Sequence, residues 1–166
     1  MLGSAAVAAQ WSQTRERVRR WADIDRIPRH HAAMTRGIPA PYRMMHNPLR
    51  PTVATLARGQ AVYRSNCLAC HGSTGTGDDA MKPLVTPAPF DLVWLSEMKV
   101  SRIDGFLYWS IDEGGAPFAT AMPAFKATLS PSDIWAAVTY IQAGIPQRRP
   151  HNPRTAPSTA ARAPDS

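Results

Sequence analysis

The chain has 166 residues, of which 44% are apolar and 8% aromatic, enough for one modest core and too little for two full-sized domains; 16 prolines and 10 glycines imply long irregular stretches. No apolar run approaches the ~18 residues that a membrane-spanning helix needs, and two cysteines are too few for a disulfide-stapled scaffold. The net charge of +7 divides into +7 over residues 1–58, −3 over 59–146 and +3 over 147–166. The basic ends carry no recognition motif and the acidic middle holds most of the hydrophobic periodicity, so no nucleic-acid partner is expected.

In chain order, MLGSAAVAAQ reads as the last part of a secretory signal with its cleavage site, although it lacks a basic start and a longer apolar run. Either a start lies upstream or this is an ordinary helix-prone terminus. From Trp11 to Ile24 a helical face of Trp11, Val18, Trp21 and Ala22 stands apart from Arg15, Arg19 and Arg20. Peripheral membrane contact through this basic region is one reading; a solvated helix packed loosely on the domain is the plainer one. Residues 26–57, with Pro28, Pro39, Pro41, Pro48 and Pro51, predict an extended strap without long helices. His46 is expected to be a strap residue touching the domain, and His30, His31 and His151 to be solvated.

The chemistry is concentrated at Cys67-Leu68-Ala69-Cys70-His71. In C-x-x-C-H two thiols add across the vinyl groups of a haem and the adjacent imidazole becomes the proximal iron ligand. A thioredoxin-like pair would want a strand before the motif, whereas RGQAVYRSN has a helical look. Structural zinc would need a second Cys/His pair, and a plain disulfide or chance match stays open. Gly72, Gly75 and Gly77 let the backbone pass close to a flat cofactor. Further on, Met122-Pro123-Ala124-Phe125 offers a thioether in a loop restricted by the following proline. Met122 is therefore the candidate distal ligand, and Met34, Met44, Met45, Met81 and Met98 are read as filler or surface.

Residues 59–146 resemble a class I c-type cytochrome of the small monohaem kind found in bacterial respiratory chains. Gly59-Gln60-Ala61-Val62-Tyr63 ahead of CLACHG is similar to that family's N-terminal helix, and Thr86 to Leu92 to the proline-rich stretch whose backbone carbonyl accepts the proximal His Nδ1 proton. Asp104 to Trp109, with Ile111 and Gly114, resembles the middle helix and its stop; Ala121 to Phe125 the Met-ligand loop; Leu129 to Ile141 the C-terminal helix. The last can be read independently: Ser130 is an N-cap, Pro131 fits the first position, Asp133 completes a capping box, and Ile134, Val138 and Ile141 recur at i, i+4 and i+7. This stripe is expected to pack on Ala61, Val62 and Tyr63, with Trp135 and Tyr63 as packing residues.

The resemblance implies an all-α class I cytochrome c fold, three to five helices around one covalently bound haem c. It implies Cys67 and Cys70 as thioether attachments, His71 as proximal and Met122 as distal iron ligand. An irregular basic N-terminal extension (1–58) precedes the cytochrome domain (59–146), and a disordered tail (147–166) follows. Leu68, Ala69, Pro87, Phe90, Phe118 and Phe125 are candidate haem-wall residues on their apolarity alone. The expected role is one-electron transfer, not enzyme catalysis, between membrane or periplasmic redox proteins such as an oxidase, dehydrogenase or reductase complex. The location expected is the periplasm or the periplasmic face of the cytoplasmic membrane. A haem subunit held inside such a complex is the alternative, and a catalytic haem enzyme a more distant one.

Overall fold

The structure, a computed structural model, describes residues 28–77, 84, 85 and 87–146. The signal remnant, the Trp11–Ile24 helix, Met81, His151 and the tail lie outside the described residues. Those described form helices α1 (Pro28–Arg36), α2 (Val53–Asn66), α3 (Leu68–His71), α4 (Leu92–Glu97), α5 (Asp104–Glu113) and α6 (Pro131–Gln142). Short 3-10 turns lie at Tyr42–Met44, Lys99–Arg102 and Ala116–Phe118. The fold is all-helical, with no strand among the described residues.

Helices α2 and α6 form the central pair. Thr52 caps α2 by accepting from the Thr55 amide at 3.2 Å. Ser130 caps α6 by accepting from the Asp133 amide and donating to Asp133 Oδ2 at 2.6 Å, with Pro131 at the first position. This is the capping box the sequence predicts. The two helices cross at Gly59, where a Cβ would collide with the Ala136 carbonyl and the Tyr140 side chain. Glycine in a helix interior costs roughly 1 kcal/mol relative to alanine, and here it admits a backbone contact no larger residue allows. The α6 face that meets α2 and α5 buries Ile134, Val138 and Ile141, as periodicity predicts, and Trp135 stacks on Tyr108 with centroids 4.4 Å apart. On α2, Val62 and Tyr63 are buried but Ala61 is exposed, contrary to expectation; Gly59 takes its place at the interface because i and i+4 share a face.

The segment ahead of α2 also differs from the expected strap. Pro28–Arg36 is helical, with proline at the first position, where its missing N–H is harmless. It buries Arg29 and Ala32 on one face. Tyr42 lies along the Gly105, Tyr108/Trp109 and Asp112/Glu113 stripe of α5. Its carbonyl abuts Gly105, its ring meets both aromatics, and its hydroxyl donates to Asp112 Oδ2 or Glu113 Oε1 at 2.7 and 2.8 Å. Asn47 donates its amide to Asp104 Oδ2 at 2.8 Å and its Nδ2 to Thr139 Oγ1 at 2.9 Å. Because α2 starts at Val53, a boundary between residues 58 and 59 falls inside a helix. Residues 28–52 pack on the helices that follow.

Candidate haem site

Cys67 ends α2, its amide donating to Tyr63 O at 2.8 Å, and α3 adds one further turn in which Cys70 N and His71 N both donate to Cys67 O. One helical turn puts positions i, i+3 and i+4 on one face, and Cys67, Cys70 and His71 all line a single cleft. The loop after the motif is tied back on itself. Gly77 N donates to His71 O at 3.1 Å, Leu92 N to Gly75 O at 2.8 Å, and the buried Tyr63 hydroxyl to Gly72 O at 2.7 Å. Tyr63 is thus more than a packing residue: its phenol fixes the backbone that leaves the motif.

His71 Nδ1 donates to Phe90 O at 3.0 Å. A carbonyl can only accept, so the proton sits on Nδ1 and Nε2 keeps its lone pair for a metal. Burial lowers the His71 pKa, against the opposing pull of the Phe90 carbonyl, and so favours the neutral imidazole that can ligate. The stretch that supplies this carbonyl is held by Asp91, whose Oδ1 accepts from Trp94 N at 2.8 Å and starts α4.

Burial pushes the Cys67 thiol up to about 12, with Cys70 adding in the same direction. A redox dithiol needs the opposite, a thiolate stabilised by its surroundings. The two cysteines are not joined in a disulfide. Among the described residues no group of three His, Cys, Asp or Glu is arranged to hold a metal ion. The raised Cys67 thiol weighs against the thioredoxin-like reading of the motif.

Across the cleft, Met122 lies in its wall, half-buried, with its carbonyl accepting from Gly115 N at 2.7 Å. Met98 packs on the core outside the cleft, Met45 likewise, and Met34 and Met44 are exposed. The remaining walls are mostly apolar, including Pro87, Phe90, Phe118 and Phe125 from the expected set, with Arg29, Asn66, Ser110 and Thr120 among the polar residues that line them. Leu68 and Ala69 do not line the cleft: the same helical turn that aims Cys67, Cys70 and His71 inward turns these two away, and Ala69 is exposed. Leu92, Leu95, Phe106, Leu107, Ile111 and Ile141 also line it; of these only Ile141 belonged to an apolar stripe read from the sequence, which marks core without separating cleft from interior. His46 is exposed and away from the cleft, whereas His30 lines it and meets Phe106 edge-on at 6.4 Å.

The residues present fit a haem c. Two thiols and an imidazole with a free Nε2 share one face, a thioether stands in the same cleft, and the surfaces between are apolar, as a macrocycle requires.

Residues 54–141 match the family described as Cytochrome C oxidase, cbb3-type, subunit III. The Cbb3-type cytochrome c oxidase subunit FixP of Bradyrhizobium diazoefficiens is 33% identical over 85 residues, 51% of this chain and 26% of that protein. The chain thus matches about a quarter of that relative's length. No solved structure matches. With more than half of its residues matched, the chain belongs to the cbb3-type subunit III family and is a c-type cytochrome.

Proposed function

We propose that this member of the cbb3-type subunit III family is a one-electron carrier domain that holds one haem c. Cys67 and Cys70 form the thioethers, His71 Nε2 is the proximal ligand and Met122 Sδ the distal one. Haem c supplies the ferric/ferrous couple, and His/Met ligation raises its reduction potential. The chain's own residues do the rest. The Phe90 carbonyl holds the His71 tautomer and orientation, the Tyr63–Gly72 bond fixes the backbone behind it, and the apolar walls exclude water. With His71 and Met122 both assigned as the residues that would hold the iron, no substrate is assigned to it. The role is electron transfer and not catalysis.

The observation that carries this reading is the meeting of Cys67, Cys70, His71 and Met122 in one apolar cleft. Family membership favours the subunit role, a haem domain of a membrane-bound oxidase facing the periplasm, over the free carrier that the sequence alone put first. The test is Met122→Leu, which removes the soft ligand while nearly keeping its volume. The holoprotein should stay folded, lose its red Met–iron charge-transfer band, fall in reduction potential and newly bind carbon monoxide. An unchanged band and potential would remove Met122 from the site, and His30 would be the next residue to replace.

A further inference from the structure

We propose that Arg29, supplied by α1 ahead of the family-matched segment, is a positioning residue that clamps the Met122 loop; the inference rests on the ligand assignment above. Arg29 is only 8% exposed. A buried cation is costly unless its surroundings compensate it, and here they do so at one place. Nη2 donates to the Gly114 carbonyl and Nη1 reaches the Trp109 carbonyl at 3.5 Å. The Gly114 carbonyl lies at the C-cap of α5, the negative end of the helix dipole, and that of Trp109 lies within the helix. The guanidinium also lies over the Trp109 ring at 4.2 Å and the Phe118 ring at 4.5 Å, a placement in which aromatic faces attract a desolvated cation. Burial lowers the Arg29 pKa to about 10, so it stays charged at neutral pH.

What this cation grips is the base of the distal loop. Gly114, at φ 61° and ψ −164°, takes a conformation open to glycine, and its missing Cβ is the space occupied by Pro123 and Ala124. The next residue, Gly115, donates its amide to the Met122 carbonyl at 2.7 Å and accepts from Phe118 N and Thr120 N at 2.8 and 3.1 Å. Arg29 therefore holds Gly114 by a hydrogen bond and Phe118 by stacking, one on each side of the residue from which the Met122 backbone hangs. A loop pinned at both places presents its thioether in one position; unpinned, it presents a range of positions, and ligation weakens without any loss of covalent haem.

The experiment compares the wild-type holoprotein with Arg29→Ala, Arg29→Gln, Arg29→Lys and Met122→Leu, with Arg36→Ala on the exposed part of α1 as control. Three quantities are read: covalent haem content, intensity of the Met–iron band, and the concentration of added imidazole that half-displaces the distal ligand. Arg29→Ala should keep its haem, weaken the band and yield to imidazole at about tenfold lower concentration. Lysine, which keeps the charge and one donor, should restore part of the loss, and Arg36→Ala should match wild type. Should Arg29→Ala fail to mature, the Lys and Gln variants decide, with Gln expected to be the more easily displaced. Band and imidazole midpoint unchanged in every Arg29 variant, even with lowered thermal stability, would overturn the inference while a silent band in Met122→Leu leaves the ligand assignment standing. A band that survives in Met122→Leu would overturn both.

Discussion

The two walls of the cleft are built on different scales. The proximal wall is largely local: Cys67, Cys70 and His71 share a helical turn, Tyr63 lies one turn before them, and Phe90 follows 19 residues after His71. The distal wall is assembled from distant pieces: Met122 leans on Gly115, Gly115 adjoins Gly114 and the Phe118 turn, and Arg29 reaches these from 85 residues away. Local geometry is cheap to specify because few backbone angles separate the partners, whereas a wall made by long-range contact depends on the whole fold being in place. The proximal ligand is therefore expected to survive perturbations that release the distal one.

The largest effect should come from breaking the proximal wall at its attachment. In a Cys67→Ala/Cys70→Ala protein no haem should remain after acid–acetone extraction, and the cooperative unfolding transition should be lost, because so small a core leans on its cofactor. Covalent haem retained by that variant would reject the attachment.

Next is Tyr63→Phe, which keeps the ring but removes the hydroxyl bond to the Gly72 carbonyl, leaving that oxygen only the longer bond from Gly75 N at 3.3 Å. Losing one buried hydrogen bond costs about 0.5–1.5 kcal/mol, and a domain of this size loses roughly 4–8 °C in Tm per kcal/mol. The Met–iron band should remain, since the distal loop is untouched; band loss with little change in Tm would contradict the independence of the two walls.

Asn47→Ala probes the N-terminal segment away from the site. It removes the side-chain bonds to Thr139 Oγ1 and from Leu49 N, at 2.9 and 3.0 Å, at about 0.5–1.5 kcal/mol each. Thermal unfolding should show the loss, and the haem spectrum should not change. A spectral change equal to that of Met122→Leu would mean that the whole segment, and not Arg29 in particular, governs the distal wall.

The smallest effect belongs to Asp133 at the start of α6. Its carboxyl is held below the ordinary value first by the Ser130 hydroxyl and then by Arg58, whose Nε donates to Oδ1 at 2.8 Å. A depressed folded-state pKa contributes stability above the unfolded value of about 3.9, lost as pH falls through the lower folded value. The Tm deficit of Asp133→Asn should be full at neutral pH and shrink in acid. Because the pair is half exposed, Arg58→Ala should cost only ~0.2–1 kcal/mol. A deficit independent of pH would assign it to helix capping alone.

Much of the site was legible in the sequence, because its signals are local. Cys67, Cys70 and His71 are fixed relative to one another by the rise of one helical turn, and the α6 capping box by three consecutive positions after Ser130. Met122 stood out through the proline that follows it, and it does line the cleft. The extended strap was misread because proline density argues against long helices but not against a nine-residue helix that starts on a proline. Ala61 was misplaced for a related reason: a short apolar run does not say which face is inward, and the glycine two positions earlier was the contact.

Sequence alone thus determined the Cys67-to-His71 motif, the placing of its three side chains on one face and the start of α6, since each depends on residues a turn or less apart. Tertiary structure alone decided that Phe90 is the residue of the expected proline-rich stretch whose carbonyl meets His71, that Tyr63 holds Gly72, that His30 and not His46 borders the cleft, and that Arg29 is buried between Trp109 and Phe118. An arginine in a basic, proline-rich stretch carries no mark of burial in its own neighbourhood. The compensation that makes it stable inside, two carbonyls and two aromatic faces, comes from residues 80 to 89 positions further along and exists only once the chain has closed on itself.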